Sequence, residues 1–118
     1  HRPEAVIYNG FDEMCLAGLI MGADGAIGTT YNFMGDLFVR LSKAFAAGRI
    51  AEAQALQVAA NRVIDVLIEV GVFPGTKGML TLMGLDVGPC REPFRHLTDG
   101  DRARLADCLV RLRQAVAG

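Results

Sequence analysis

Two adjacent carboxylates, Asp12 and Glu13, follow the turn Asn9-Gly10-Phe11, and one helix length later comes the hydroxyl-bearing run Gly28-Thr29-Thr30-Tyr31-Asn32. A neighbouring pair of acids can serve as an acid–base couple or as acceptors for adjacent substrate hydroxyls, each charge-assisted bond contributing about 1.5–3 kcal/mol. The same acids are also favoured with no ligand present, because the first turn of a helix stabilises negative charge by roughly 0.3–1 kcal/mol. On residue type alone both readings stand. Gly10 and Gly28 are compatible with plain turn and packing roles, Thr29 with a strand-end hydroxyl, and Asp24 with a turn. Cys15, Cys90 and Cys108 form an odd set without CxxC or His-containing metal spacing, so neither a zinc site nor a disulfide scaffold is expected. Cys15 and Cys108 fall on apolar helix faces as small buried hydrophobes, and Cys90 lies in a loop. No metal and no cofactor is expected.

The elements that must position these groups alternate. Ala5 to Tyr8 is a short apolar strand whose Gly-containing turn delivers Asp12 and Glu13 to a helix entrance. Met14, Leu16, Ala17, Leu19 and Ile20 make that helix, and Gly22 stops it. Asp24 to Gly28 reads as a second strand, and two parallel strands joined by a helical crossover are the natural arrangement. From Phe33 to Ala47 the apolar residues Phe33, Leu37, Leu41, Ala44 and Phe45 recur at helical spacing up to Gly48. A second helix carries the stripe Ile50, Ala53, Leu56, Ala60, Val63, Ile64, Leu67 and Ile68 through Val70, and packs back across the Gly48-Arg49 turn. Pro74 suits the first turn of a helix over about residues 75–83 that uses Met79, Leu80, Leu82 and Met83. Val87 to Pro93 is a loop that lies against the body of the fold. Thr98 and Asp101 form a variant capping box ahead of Leu105, Cys108, Leu109, Leu112 and Val116. The arginines of this last helix, Arg102, Arg104, Arg111 and Arg113, read as a solvated face.

Composition narrows the function classes. The chain has 118 residues, 52% of them hydrophobic, no Trp, and 12 basic against 13 acidic residues for a net charge of −1. Nucleic acids and anionic membranes reward a basic stripe, and none is present. No apolar run is long enough to span a bilayer and no signal-peptide pattern precedes the first strand, so a cytoplasmic protein with reduced thiols is expected. The chain starts at His1-Arg2-Pro3 rather than Met, which points to a processed or truncated product. Two short strands cannot form an independent sheet, since their backbone edges need neighbours on either side. Part of a larger barrel answers this more simply than a free-standing domain.

The segments Tyr8 to Met14 and Gly22 to Asn32, with Arg91-Glu92-Pro93-Phe94 later on, resemble the C-terminal portion of the N-acetylneuraminate lyases, or sialic acid aldolases. These belong with dihydrodipicolinate synthase to the class I pyruvate aldolases. The resemblance covers most of the chain and fades after His96. It implies an α/β fold, the C-terminal part of a (β/α)8 TIM barrel: residues 1–48 would be the last two βα units and residues 49–118 a C-terminal helical extension, together one incomplete domain. In such barrels sites form at the C-terminal ends of the strands.

The resemblance further implies that Gly10 offers backbone contacts while Asp12, Glu13 and Thr29 bind the hydroxylated tail of a sugar acid. Thr29 departs from the serine more usual in these lyases, keeping the hydroxyl and adding a methyl. Gly28-Thr29-Thr30 is distinct from the family's Gly-Thr-Thr-Gly-Glu carboxylate loop, because Tyr31 follows it. Tyr31 fits packing beneath the site as well as contact with substrate. The implied reaction is reversible cleavage of a sialic acid to N-acetylmannosamine and pyruvate through a Schiff-base lysine. Lys43 and Lys77 are the only lysines, one in the helix after the second strand and one in the extension, so no catalytic residue is expected in this chain. The remaining barrel would come from the same or another chain, and the complete protein would be a homo-oligomer, a tetramer by analogy. Alternatives are another pyruvate aldolase of the superfamily, such as dihydrodipicolinate synthase, and a non-catalytic half-barrel that associates through its strand edges.

Overall fold

The computed structural model describes residues 4–117, with side chains as far as Ala115. Residues 1–3 and the Val116 side chain, the last position of the apolar stripe, fall outside the described part. The elements run β1 (Tyr8–Asn9), a 3-10 turn (Asp12–Met14), α1 (Cys15–Ile20), β2 (Gly25–Ala26), α2 (Tyr31–Ala46), α3 (Ile50–Val70), α4 (Val72–Leu82) and α5 (Asp99–Ala117).

The strands pair in parallel, Tyr8 opposite Gly25 and Asn9 opposite Ala26. Flanking bonds lengthen the ladder, Asp24 N–H donating to the Ile7 carbonyl at 2.8 Å and Ile27 N–H to the Asn9 carbonyl at 3.0 Å. Asp24 is a turn residue: its carboxylate accepts the Ile7 N–H at 2.7 Å. Both strands are shorter than the apolar runs that contain them, because only this stretch of each has a partner strand. Parallel strands are normally covered on both faces, yet here Ile7, Phe11 and Ile27 are 54%, 69% and 66% exposed.

Helix α1 departs from its expected start. Asp12 to Met14 form a 3-10 turn and regular helix begins at Cys15; of the apolar residues expected in this helix, Met14 and Ile20 are exposed and Leu16 is buried. Helix α2 begins at Tyr31, two residues before its first apolar repeat, and is bent at Met34 (φ −130°, ψ 32°). Its face of Phe33, Leu37, Phe38, Leu41 and Ala44 packs on Ala53, Leu56, Ala60, Val63, Ile64 and Leu67 of α3, the most extensive helix pair in the fold. The α3 stripe is narrower than its sequence suggests: Ile50 and Ile68 are exposed, whereas the polar Gln57 is buried.

Gly71 (φ +96°) turns the chain between α3 and α4 without a loop. That turn lets α4 begin at Val72, three residues earlier than its expected start, with Pro74 buried in the first turn and Leu82 and Met83 exposed beyond the last contact. The following loop is tied to α4 by Lys77, whose ammonium donates to the carbonyls of Val87 at 3.3 Å and Pro89 at 3.0 Å.

The cap of α5 is reciprocal. Asp101 N–H donates to Thr98 Oγ1 at 3.1 Å and Thr98 N–H to Asp101 Oδ2 at 2.8 Å. Arg95 donates to the same carboxylate at 2.7 Å and, through its other terminal nitrogen, to the Val70 carbonyl at 2.6 Å, which ties the cap to the end of α3. Arg95 first, and then Thr98, hold the Asp101 carboxyl well below the usual carboxylate range. A carboxyl depressed on folding stabilises above its unfolded pKa, and that contribution disappears as the pH falls from about 4 toward the folded value. We expect Thr98→Ala to cost about 1 kcal/mol in denaturant unfolding, and the deficit to shrink below the carboxylate range as Asp101 protonates. On the outer face Arg104 pairs with Glu69; an exposed pair of this kind contributes about 0–1 kcal/mol. Among the described residues no helix is long and apolar enough to cross a membrane.

Candidate functional site

Because β1 and β2 are parallel, their C-terminal ends emerge side by side, and the segments that follow each strand meet there. Asp12, in the 3-10 turn after β1, sends its carboxylate across to the segment after β2. Its Oδ2 accepts the Thr30 N–H at 3.0 Å and the Thr30 hydroxyl at 2.6 Å. Thr30 N–H is one of the donors that a helix start leaves unpaired, so the acid satisfies the entry to α2. This bridge also explains why α2 begins at Tyr31.

Asp12 is buried, and its second oxygen, Oδ1, has no hydrogen-bond partner among the described residues. Oδ1 rests against Gly28, where an added Cβ would lie 1.5 Å away. The glycine is therefore a steric requirement of the carboxylate's position. Gly10, by contrast, has open space where a Cβ would project, which leaves its backbone accessible at the end of β1.

Glu13 differs from its neighbour. Its side chain is half-buried, and among the described residues nothing donates to its carboxylate. Thr29 is half-buried beside this junction; its carbonyl accepts Asn32 Nδ2–H at 2.8 Å, and its hydroxyl has no partner among the described residues. Of the adjacent acids, then, one has an oxygen engaged in structure and the other is free to accept hydrogen bonds. That division is unlike an acid–base couple.

Beneath the junction Tyr31 packs on Phe38 with ring centroids 4.2 Å apart. Burial above all, then the adjacent Cys15 and Asp12, push its phenol far above the ordinary tyrosine range. Burial likewise raises the Cys15 and Cys108 thiols. All three groups stay protonated at neutral pH, and the two cysteines belong to the core.

Three residues at this junction carry no functional signal in the sequence reading: Thr30, Gln57 and Asn61. Gln57 Oε1 accepts the Leu16 N–H at 2.9 Å, and its Nε2 donates to the Asp12 carbonyl at 3.0 Å and to Asn61 Oδ1 at 2.8 Å. Asn61 Nδ2 donates to the Glu13 carbonyl at 3.4 Å. A signal existed in the sequence, since Gln57 interrupts the apolar stripe of α3 at a core position.

The lysines lie elsewhere. Lys43 is exposed on α2, and Lys77 borders a cleft of about 380 Å³ between α4 and the following loop. The Lys77 amine and Arg95 in that cleft are committed to backbone carbonyls and Asp101. Among the described residues no cluster of three or more His, Cys, Asp or Glu is arranged to hold a metal.

A parallel strand pair joined by a helical crossover and backed by a helical layer defines a piece of an α/β fold, and comparison with known proteins says which family it belongs to. Residues 1–112 match the dihydrodipicolinate synthetase family, and the chain belongs to that family. Within it the similarity is to N-acetylneuraminate lyases: 62% identity over 115 residues to that of Rhizobium meliloti (strain 1021), covering 98% of this chain and 36% of the relative. The lyase of Enterobacter sp. (strain 638) is 50% identical over 99 residues, covering 83% of this chain and 33% of the relative. Among solved structures, the wild-type Ruminococcus gnavus sialic acid aldolase superposes with a TM-score of 0.91 at 32% identity over 97% of this chain and 39% of its own. Proteus mirabilis N-acetylneuraminate lyase gives 0.80 at 35% identity over 92% and 36%. These structural neighbours are TIM-barrel aldolases. The chain spans about a third of the length of these relatives.

Proposed function

We propose that this chain is the C-terminal part of a (β/α)8 Schiff-base lyase that reversibly cleaves N-acetylneuraminate to N-acetylmannosamine and pyruvate. Residues 1–48 are its last two βα units and residues 49–118 its helical extension. Gly10, Asp12, Glu13 and Thr29 line the sugar-hydroxyl end of the pocket. The observation that carries this reading is the junction at the strand ends, where Asp12 is anchored to Thr30 while the adjacent Glu13 carboxylate has no partner among the described residues. A carboxylate side chain held half-buried on a short turn is suited to accepting substrate hydroxyls. The similarity to N-acetylneuraminate lyases supports the choice of substrate.

Carbon–carbon cleavage in this scheme requires a lysine amine to condense with the pyruvate carbonyl, so that the iminium accepts the electron pair of the breaking bond. Exposed Lys43 and loop-bound Lys77 are poorly placed for that, neither ending a strand. The nucleophile and the pyruvate-carboxylate site therefore belong to the preceding part of the barrel. The apolar side chains on the strand pair, Ile7 and Ile27 among them, are the surface that those strands cover. The complete enzyme is a cytoplasmic homo-oligomer, with a tetramer the form expected by analogy.

In the full-length enzyme Glu13→Gln should lower kcat/KM for N-acetylneuraminate by roughly 10- to 100-fold, the equivalent of one charge-assisted bond, while leaving borohydride trapping with pyruvate unchanged. Unaltered kinetics would remove Glu13 from the pocket. Activity on aspartate semialdehyde but not on sialic acid would favour the dihydrodipicolinate synthase alternative. Trapping that labelled Lys43 or Lys77 would contradict the division of labour. The same exposed strand surface also motivates a second reading, a half-barrel that self-associates; a monodisperse monomer of the isolated chain by light scattering would count against it.

A further inference from the structure

The amides of Gln57 and Asn61 lie 41 to 48 residues beyond the turn they touch, on the helix that begins the C-terminal extension. Gln57 is buried on the core side of α3, where every neighbouring position of the stripe is aliphatic. A buried primary amide is costly unless its donors and acceptor are used. Here they are all used: Oε1 takes the Leu16 N–H at the start of α1, while Nε2 serves the Asp12 carbonyl and Asn61 Oδ1. Asn61 passes the contact on to the Glu13 carbonyl.

The backbone is thus held on both sides of Glu13, at the carbonyls of Asp12 and Glu13 and at the amide of Leu16. The Asp12 side chain is held independently through Thr30. Among the described residues Glu13 has no comparable restraint on its own carboxylate, so its direction depends on the orientation of the turn that carries it. A 3-10 turn has poorer hydrogen-bond geometry than an α-helix and persists only in short pieces; two external amides give this one a fixed frame.

We propose that Gln57 and Asn61 are positioning residues for recognition of the substrate's hydroxylated tail, so that helix α3 sets the aim of the Glu13 carboxylate without touching substrate. The inference rests on the sugar-pocket reading above. It predicts a defect confined to the tail and absent from the pyruvate half of the reaction.

The test compares Gln57→Met, Gln57→Glu, Asn61→Leu and Glu13→Gln in the full-length enzyme. Two substrates are used, N-acetylneuraminate and an analogue lacking the terminal hydroxylated carbons, with borohydride trapping of pyruvate as a third readout. Gln57→Met removes all three bonds, whereas Gln57→Glu keeps the acceptor for Leu16 N–H and loses the donor to Asp12. We expect Gln57→Met to raise KM for N-acetylneuraminate about tenfold, and Asn61→Leu about threefold. KM for the truncated analogue and the trapping rate should stay at wild-type values. If Gln57→Met does not fold, Gln57→Glu must show the same selective KM change for the inference to stand.

Equal losses on both substrates together with slower trapping would mean a purely structural role and overturn the proposal. So would unchanged discrimination in folded Gln57 variants while Glu13→Gln loses it, an outcome that leaves the sugar-pocket reading intact. If Glu13→Gln itself leaves discrimination unchanged, the pocket reading fails and this inference falls with it.

Discussion

Gly28→Ala in the full-length protein should cost about 3 kcal/mol or more in denaturant unfolding, the sum expected from overpacking and from weakening hydrogen bonds to a buried charge. The added methyl would sit 1.5 Å from Asp12 Oδ1, 2.3 Å from the carboxyl carbon and 2.6 Å from Oδ2. The carboxylate cannot stay where it makes both Thr30 bonds, at 3.0 and 2.6 Å, because all three of its carboxyl atoms are in that clash. Either the carboxylate leaves and the Thr30 N–H at the head of α2 loses its acceptor, or the segment after β2 moves away from the turn after β1. Both disturb the junction that presents Glu13 and Thr29, so substrate affinity should fall alongside stability. Asp12→Ala distinguishes the causes. Alone it should cost about 2 kcal/mol by stranding Thr30, and in combination with Gly28→Ala it should remove most of the second penalty. Additive losses in that double-mutant cycle would refute the steric account.

Leu67→Ala is the other substitution with a large expected effect, about 2–5 kcal/mol of stability. Leu67 is fully buried on α3 and faces the first turns of α4, where Gly75 permits close approach. A Cβ at Gly75 would lie 2.6 Å from Leu67 Cδ2 and 2.9 Å from Val70 Cγ2. Shortening Leu67 opens space at that point, and the flanking helices are too well tied, by the Gly71 turn at one end and by Arg95 on the Val70 carbonyl, to collapse fully into it. Gly75→Ala on its own should also destabilise, since about 1 kcal/mol of helix propensity gained is smaller than the clash. In the Leu67→Ala background the penalty should shrink, because the clash with Leu67 Cδ2 is gone and only that with Val70 Cγ2 remains. Calorimetric or urea unfolding of the four proteins reads this directly; a Gly75→Ala penalty of the same size in both backgrounds would show that α3 and α4 do not meet through this pair.

Local chemistry made most of the elements legible. Glycines at 22, 48, 71 and 84 interrupt helical periodicity, and each sits at positive φ in the structure. The Thr98–Asp101 cap could be read from its spacing, and its reciprocal bonds are present. The strand ends bearing Asp12 and Thr29 were legible for the same reason: a short apolar run followed by glycine can do little else. The discrepancies lie where tertiary contact overrides periodicity. Ile50, Ile68, Leu82 and Met83 satisfy the helical repeat yet are exposed, Ile68 lying between the fully buried Leu67 and Val70. Asp12 and Glu13 begin a 3-10 turn instead of an α-helix, and the Leu16 N–H that an α-helix would direct to the Asp12 carbonyl goes to Gln57 instead.

The sequence by itself determined which residues could do chemistry: two adjacent acids, a threonine hydroxyl, and two lysines on helices away from the strand ends. It also determined that two strands with apolar faces would be too few to bury one another. Only the tertiary structure decided between the acids. Adjacent carboxylates are chemically alike in a sequence, and their roles separate only when one meets Thr30 and the contour of Gly28 while the other is left without a partner. It also decided that a glutamine in an apolar stripe meets the turn that carries the acids, since a hydrogen bond across 45 residues depends on how α3 crosses that turn. Periodicity along one helix carries no record of that crossing.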